Sequence, residues 1–532
     1  MNHVSYILML LIGLLCSVVA VAGLARRFAV SYPIVLVIFG LLCSLLPHVP
    51  HIPLPPSLVF FVILPPLLYL AAWQTSWREF KYNLVSISGL AVFLVFFTAF
   101  GVAFAAKWWL PGFNWQLGFL LGAVVSPTDA VAATSIARKV GMPQRIVDLL
   151  EGESLLNDAT GLLALQFGVE MVIEGTTPTI GRGILEFAWL ALGGVLVGLA
   201  IGWVVTWLER WVDDGPVEIA LSLIVPYAAY LMGEAVKGSG VIAVVVCGLF
   251  VSRRSSTSFS PGVRLQLLAV WDAIEFLLNG LVFVLIGLQL PYVLDGIRGQ
   301  SRLGLLGYAV AFSIVLLLLR MAWMYPAARA SWWIRTRIVK QIYEKPKSGQ
   351  VFVVGWTGMR GVVALAAANS LPFVLKDGSP LPERSFIIFL TYSVILVTLV
   401  LQGLSLPSLL RSLKLSGNDT QFCEEGEARH LLLQAAVDFL DERRKAAEGE
   451  HDVHLYEDML HDYRHKLADV EQCGPDSDPE NVSHDLTMNH LLLETIRRER
   501  EELNLLRANG RIGDSVHRNL ERELDLGESR LA

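Results

Sequence analysis

The stretch EGESLLNDAT, residues 151–160, places Glu151, Glu153, Asn157 and Asp158 inside an otherwise apolar run long enough to cross a bilayer. An ionisable side chain at the centre of a membrane helix costs about 2.5–3.5 kcal/mol on insertion scales, so acids at that depth face a cavity, an ion or a partner. Helical geometry ranks these four. If the run enters from the cytoplasm near Ile146, Asp158 lies roughly 18 Å in at 1.5 Å per residue, close to the midplane and deeper than any other acid. At about 100° per residue Ser154 stands one turn below Asp158 on the same face, where its hydroxyl adds an oxygen beside the carboxylate. Glu151 lies about two turns below, nearer the mouth. Glu153 points away and needs a separate partner. Arg360, an intramembrane charge in WTGMRGVV, is expected to supply it as a structural ion pair.

A second polar cluster occupies GAVVSPTDAVAATS, residues 122–135. Pro127 removes a backbone donor and clashes with the preceding turn, beside the polar Ser126, Thr128 and Asp129. The helix is therefore expected to unwind at mid-membrane and free its carbonyl oxygens, which hydrocarbon permits only where backbone lines a cavity. Gly355, Gly358 and Gly361 in GWTGMRG weaken another helix in the other half of the chain. Two interrupted helices in separate halves are what an inverted-repeat transporter needs for a midplane ion site.

The chemistry open to these residues is ion exchange. A hard monovalent cation needs oxygen ligands, and one carboxylate with hydroxyl and carbonyl neighbours replaces part of its water shell. Desolvation favours the neutral form of a carboxylic acid, so a proton competes for the same group. If the carrier crosses loaded with either ion but not empty, exchange is obligatory. There is no GxxxxGK[ST] phosphate loop, which argues against an ATP-driven pump, and no cofactor is required. An intramembrane aspartyl protease would need a GxGD setting, which is absent. A cation channel and a K+-selective proton-coupled exchanger remain as alternatives, with a structural or sensory membrane protein behind them.

The elements that must hold these groups are apolar helices. Of 532 residues, 54% are hydrophobic and 17% charged, and the mean hydropathy is +0.54. About thirteen apolar segments recur along the body, at roughly 4–25, 33–48, 56–73, 84–106, 115–137, 146–173, 184–208, 216–236, 240–252, 272–290, 303–328, 350–371 and 385–412. The first has no basic start or cleavage site and is read as an uncleaved span. Residues 240–252 barely suffice to cross, and 260–271 read as an interfacial helix preceding the tenth span. Alternate loops carry sixteen basic residues against seven in the opposite set, which by the positive-inside rule puts the N-terminus outside and the tail in the cytoplasm.

Charge divides the chain in two. Residues 1–414 hold 28 Lys and Arg against 20 Asp and Glu, whereas 415–532 hold 14 against 28, together giving the net −6. The acidic tail reads as helical, with CGPDSDPEN (473–481) as a linker and leucines at helical spacing in LLLETIRREREELNLL (491–506). His451, His454, His461 and His465 read as exposed helix surface, and the five cysteines have neither metal nor disulfide spacing.

SPTDA (126–130), GESLLNDATG (152–161), GSGVIAVVVCGL (238–249), LNGLVFVLIGLQL (278–290) and GMRGVVALA (358–366) together resemble the bacterial sodium/proton exchangers of the monovalent cation:proton antiporter-1 family, as does the tail's RANGRIGDSVHRNLERELDL (507–526). The resemblance implies an all-α polytopic antiporter fold with inverted repeats, two unwound helices and a helical cytoplasmic tail. It implies a homodimer in the inner (plasma) membrane, with a dimerisation bundle and a core bundle that move relative to each other, binding no nucleic acid and serving pH homeostasis. Carried over residue by residue, Asp158 binds Na+ or H+, Asp129 and Ser154 are further ligands, Thr128 contributes its backbone carbonyl and Asn157 orients the site. Glu153 and Arg360 would form the structural pair. Asn157 ahead of the key acid is associated with electroneutral exchange. One departure stands out: archaeal and animal relatives often carry an acid shortly after LPPLL in the third span, where this chain has Tyr69 and Leu70.

Overall fold

Inside hydrocarbon only a helix or a closed barrel satisfies every backbone donor and acceptor, and the apolar runs fold as helices. The computed structural model describes residues 3–413 apart from short stretches at 28–30, 47–53, 176–178, 213, 259–260, 298–300, 342, 377 and 382, and the tail at 419–446, 450–472, 494–506 and a few residues beyond. Among the described residues eight helices are long and apolar enough to cross a membrane and three more are apolar but shorter. The sixth and twelfth segments complete the set, the former charged and the latter interrupted.

In chain order the body runs α1 (His3–Arg27), α2 (Tyr32–Ser44) and α3 (Leu64–Gln74), then α4 (Trp77–Ser88) and α5 (Leu94–Trp109), joined by a wide turn at Gly89–Phe93. There the indole Nε1 of Trp323 donates to the Gly89 carbonyl at 3.2 Å, satisfying an oxygen that the widened turn loosens. Then come α6 (Trp115–Val125), α7 (Ala130–Val140), α8 (Gln144–Glu174), α9 (Ile180–Leu208), α10 (Gly215–Ala235), α11 (Gly240–Ser258) and α12 (Pro261–Leu288). After the short α13 (Leu290–Asp295) follow α14 (Arg302–Trp333), α15 (Ser348–Trp356), α16 (Val362–Asn369), α17 (Arg384–Val397) and α18 (Gly403–Ser412).

Small residues set the closest helix approaches, as they do where lipid provides no hydrophobic drive. Gly194, Gly198 and Gly202, four apart on α9, face α11; a Cβ added there would meet Ser239 O, Ala243 O or the Phe250 ring at 2.5–2.8 Å. Gly40 of α2 and Gly287 of α12 meet backbone to backbone in the same way. The short ninth segment extends to Ser258 and is kept apart from α10 by a turn in which Lys237 takes φ 56°. The tenth segment departs from expectation. Residues 260–271 are no separate interfacial helix, because nothing between Val263 and Asn279 breaks a helix, and α12 runs unbroken from Pro261.

Contacts divide the chain into two units, Met1–Gly417 and Asn418–Ala532. In the second, α19 (Asp419–Ala446) and α20 (Glu450–Gln472) pack through Val437, Leu440 and Leu460. His454, His461 and His465 are exposed, and no group of three or more His, Cys, Asp or Glu able to hold a metal occurs among the described residues. The linker 473–481, the His451 side chain and nearly all of 507–526 lie outside the described residues.

Candidate ion-binding site

The two helix breaks are where local chemistry puts them. Ser126–Asp129 separate α6 from α7, and Thr357–Gly361 separate α15 from α16. The breaks cross: the Asp129 amide donates to Met359 O at 2.8 Å and Arg360 Nε donates to Val125 O at 3.1 Å. Helix α8 lies against the first break so closely that a Cβ on Gly161 would enter the Pro127 ring.

Three of the four half-helix ends are met by a group of the charge their dipole favours. Asp129 caps the start of α7, Oδ1 accepting from the Val131 amide at 2.8 Å. Arg360 serves the last carbonyl of α6 and also donates to Gly358 O. Arg320 of α14 serves the end of α15, donating through Nε to Gly355 O and through Nη2 to Val354 O, both at 3.1 Å.

The pairing expected between Glu153 and Arg360 is corrected here. Glu153 is gripped by Arg320, with Nη1 to Oε1 at 2.6 Å and Nη2 to Oε2 at 3.0 Å. Arg360 lies near Glu153, but its fork is taken up by the carbonyls of the broken helices, whose partial negative charge competes for it. Arg320 escaped the reading of the sequence although its signal was present: a lone arginine in SIVLLLLRMAW meets the same insertion cost as Arg360.

From this ion pair a hydrogen-bond relay leads to the first break. Glu153 Oε1 accepts from the Thr128 hydroxyl at 2.9 Å. That hydroxyl accepts from Asn157 Nδ2 at 2.7 Å, and the same amide reaches the Thr128 carbonyl at 3.3 Å. Since Glu153 neutralised by arginine only accepts, the direction of every bond in the relay is set. Asn157 and Glu153 are both 1% exposed.

In front of the relay lies a cavity of about 360 Å³. Thr128, Asp129, Ser154 and Asp158 line it together, whereas Asn157 and Glu153 stand behind its wall. Ser154 Oγ accepts from the Ala130 amide at 3.3 Å. The Asp129 carboxylate rests against Gly361, where any side chain would displace it. Asp158, 7% exposed, accepts no hydrogen bond among the described residues. A buried carboxylate left so is strongly unfavourable unless a proton or a cation neutralises it. Tyr69 and Leu70, at the place where the resemblance leads one to expect an acid, do not reach the cavity. Both are buried in the packing against α11 and α12, Tyr69 with its ring 5.6 Å from that of Trp271, and Gln74 lines the cavity in their stead.

Comparison with known proteins gives the arrangement a family. An uncharacterized Na+/H+ exchanger of Mycobacterium tuberculosis is 33% identical over 98% of this chain and 96% of its own. A sodium, potassium, lithium and rubidium/H+ antiporter of Bacillus pumilus is 33% identical over 86% of this chain and 69% of its own. The sodium proton antiporter MjNhaP1 of Methanocaldococcus jannaschii, 18% identical, shares the fold, with a TM-score of 0.57 over 77% of this chain and 100% of that one. Matched over residues 13–412 by the transmembrane sodium/hydrogen exchangers, the chain belongs to that family, one of cation/proton antiporters rather than enzymes.

Proposed function

We propose that this chain exchanges Na+ for H+ across the plasma membrane by letting the two compete for Asp158. The observation that carries this reading is a single one: a buried carboxylate without a hydrogen-bond donor, facing a cavity at the crossing of two interrupted helices. Asp129, the Ser154 hydroxyl and the Thr128 carbonyl supply the further oxygens a hard cation requires, and Asn157 holds the Thr128 carbonyl in place. Either ion cancels the charge of Asp158, so either loaded form crosses, while the empty anion is held back by its own desolvation.

Exchange is electroneutral in this account, one Na+ for one H+, because Asn157 beside the titrating acid carries no charge. The chain works as a homodimer, as the resemblance to bacterial exchangers of the family implies, and its N-terminus lies outside and its acidic tail in the cytoplasm, as the distribution of basic loop residues supports. The name of the Bacillus pumilus relative extends to potassium, lithium and rubidium, which supports a site that admits other monovalent ions alongside Na+.

Everted membrane vesicles test the reading. Addition of Na+ should dissipate a preformed pH gradient in vesicles carrying the parent chain and leave it intact in those carrying Asp158→Asn at equal abundance. Exchange persisting at the parent rate in the Asn variant removes Asp158 from the mechanism, and a Na+ current without proton movement replaces the antiporter with a channel.

A further inference from the structure

The cavity in front of Asp158 has a second polar wall that the exchange reading leaves unused. Helix α12 presents Asp272, Glu275 and Asn279 to it. Their i, i+3, i+7 spacing puts all three on one helical face. Burial deepens along that face: Asp272 is exposed, Glu275 half-buried and Asn279 only 3% exposed. At 1.5 Å per residue the line climbs roughly 10 Å along the helix.

Two observations make this more than a row of acids. The first is an orphaned oxygen. Asn279 donates through Nδ2 to Glu275 Oε1 at 3.5 Å, which fixes the amide's orientation, since a carboxylate accepts and cannot donate. Its Oδ1 accepts no hydrogen bond among the described residues, in a side chain that lines the cavity and is only 3% exposed. The second is the charge of the lining. Asp129, Glu151, Asp158, Asp272 and Glu275 all border the cavity, and among the described residues no Lys, Arg or His does. A low-dielectric cleft lined by one sign of charge concentrates the opposite ion.

We propose that Glu275 and Asn279 form a staging site for a monovalent cation, which enters past Asp272 and exchanges part of its water for the Glu275 carboxylate and Asn279 Oδ1 before it reaches Asp158. The proposal rests on the exchange reading of Asp158 and adds to it a loading step. A carboxylate with an amide oxygen suits a hard cation. Staging also supplies from α12 the charge that α3, with Leu70 buried in its packing, does not bring to the cavity. Its ligands stand on α12, whereas Asp129 lies in the break before α7 and Asp158 on α8, so movement of α12 relative to those helices parts the two sites. Staging therefore acts on cations arriving from the cytoplasmic face alone.

Sidedness gives the test. In everted vesicles, which offer Na+ to the cytoplasmic face, Glu275→Gln should raise the apparent KM for Na+ about tenfold, the loss of one charge-assisted contact, with the maximal rate within about twofold of the parent. In right-side-out vesicles the same variant should keep the parent KM. Asn279→Ala should act in the same direction and Glu275→Asp should restore the parent KM, which separates a lost ligand from a disturbed fold. An unchanged KM at the cytoplasmic face, or an equal rise at both faces, overturns the staging site. Asp158→Asn run alongside keeps the two claims apart: its loss of exchange with an unaltered Glu275→Gln sinks staging only, whereas its continued exchange sinks the underlying reading.

Discussion

Arg320 and Glu153 face each other through two parallel hydrogen bonds, at 2.6 and 3.0 Å, with both side chains 2% exposed. The pair stands between the end of α15, whose carbonyls Arg320 also binds, and the first break, whose Thr128 hydroxyl Glu153 receives. One ion pair thus ties both interrupted helices to α8. Removing one partner leaves the other charge buried and uncompensated, which costs about 3–5 kcal/mol. Arg320→Ala and Glu153→Ala should each lower the unfolding temperature of the detergent-solubilised protein sharply, and Glu153→Gln combined with Arg320→Met should recover most of the loss. Additive losses in the double variant would show that the two residues do not act as a pair.

Gly361 admits the Asp129 carboxylate where no other residue could. A methyl group there would occupy the space of Asp129 Oδ2 and Cβ, so Gly361→Ala must push that side chain off the α7 cap. Overpacking of this kind costs about 1–3 kcal/mol, enough for a tenfold or greater fall in Na+-dependent proton flux at normal membrane abundance. Gly307→Ala, with nothing within 4 Å of the added carbon, serves as the control and should keep parent flux.

The Thr128 hydroxyl both donates and accepts, and valine can do neither. In Thr128→Val the Asn157 amide keeps only its longer bond to the Thr128 carbonyl and Glu153 Oε1 only its bond from Arg320, a loss of about 0.5–1.5 kcal/mol for each hydrogen bond removed. Thr128→Ser keeps the relay. Thermal unfolding and flux should therefore rank parent and Thr128→Ser together, well above Thr128→Val; equal behaviour of serine and valine would show that the relay carries no weight.

In the tail, Asp441 accepts from Lys445 at 2.7 Å and lies 2.8 Å from Arg444. The hydrogen bond from Lys445, followed by the charges of Lys445, Arg444 and Arg464, holds its carboxyl below the usual carboxylate range. A lowered folded-state value contributes stability above the unfolded-state pKa of about 3.9 and loses it as pH falls through the folded-state value. Hydrogen exchange of α19 and α20 in the full chain should be faster in Asp441→Asn than in the parent at pH 7. Once rates are corrected for their intrinsic pH dependence, the difference should shrink as the pH falls through the folded-state value and vanish once Asp441 is protonated in both states.

Local chemistry made the helix breaks legible in advance, because Pro127 and the glycines of GWTGMRG act within one turn of themselves. That Ser154 and Asp158 share a face was readable from helical spacing, while Asp129 was joined to them only by the family resemblance; all three line one cavity. What escaped was set by packing between distant segments. Arg320 carried a charge as costly as that of Arg360, but which of them meets Glu153 depends on which helix faces α8, and sequence spacing holds no record of that. The polar face of α12 stayed hidden for a related reason: Asp272 and Glu275 look like the solvated start of a span until residues of α3, α7 and α8 are seen to border the same cavity.

The dependence of the apparent Na+ KM on pH, measured in proteoliposomes reconstituted with the intact chain, tests the shared carboxylate most directly. If proton and Na+ exclude each other at Asp158, the KM should climb about tenfold for each unit of acidification below the titration of that group, while the maximal rate at saturating Na+ stays level. A KM that holds constant as the pH falls, with the maximal rate dropping instead, would mean that the two ions bind at separate places and would contradict competition for one acid.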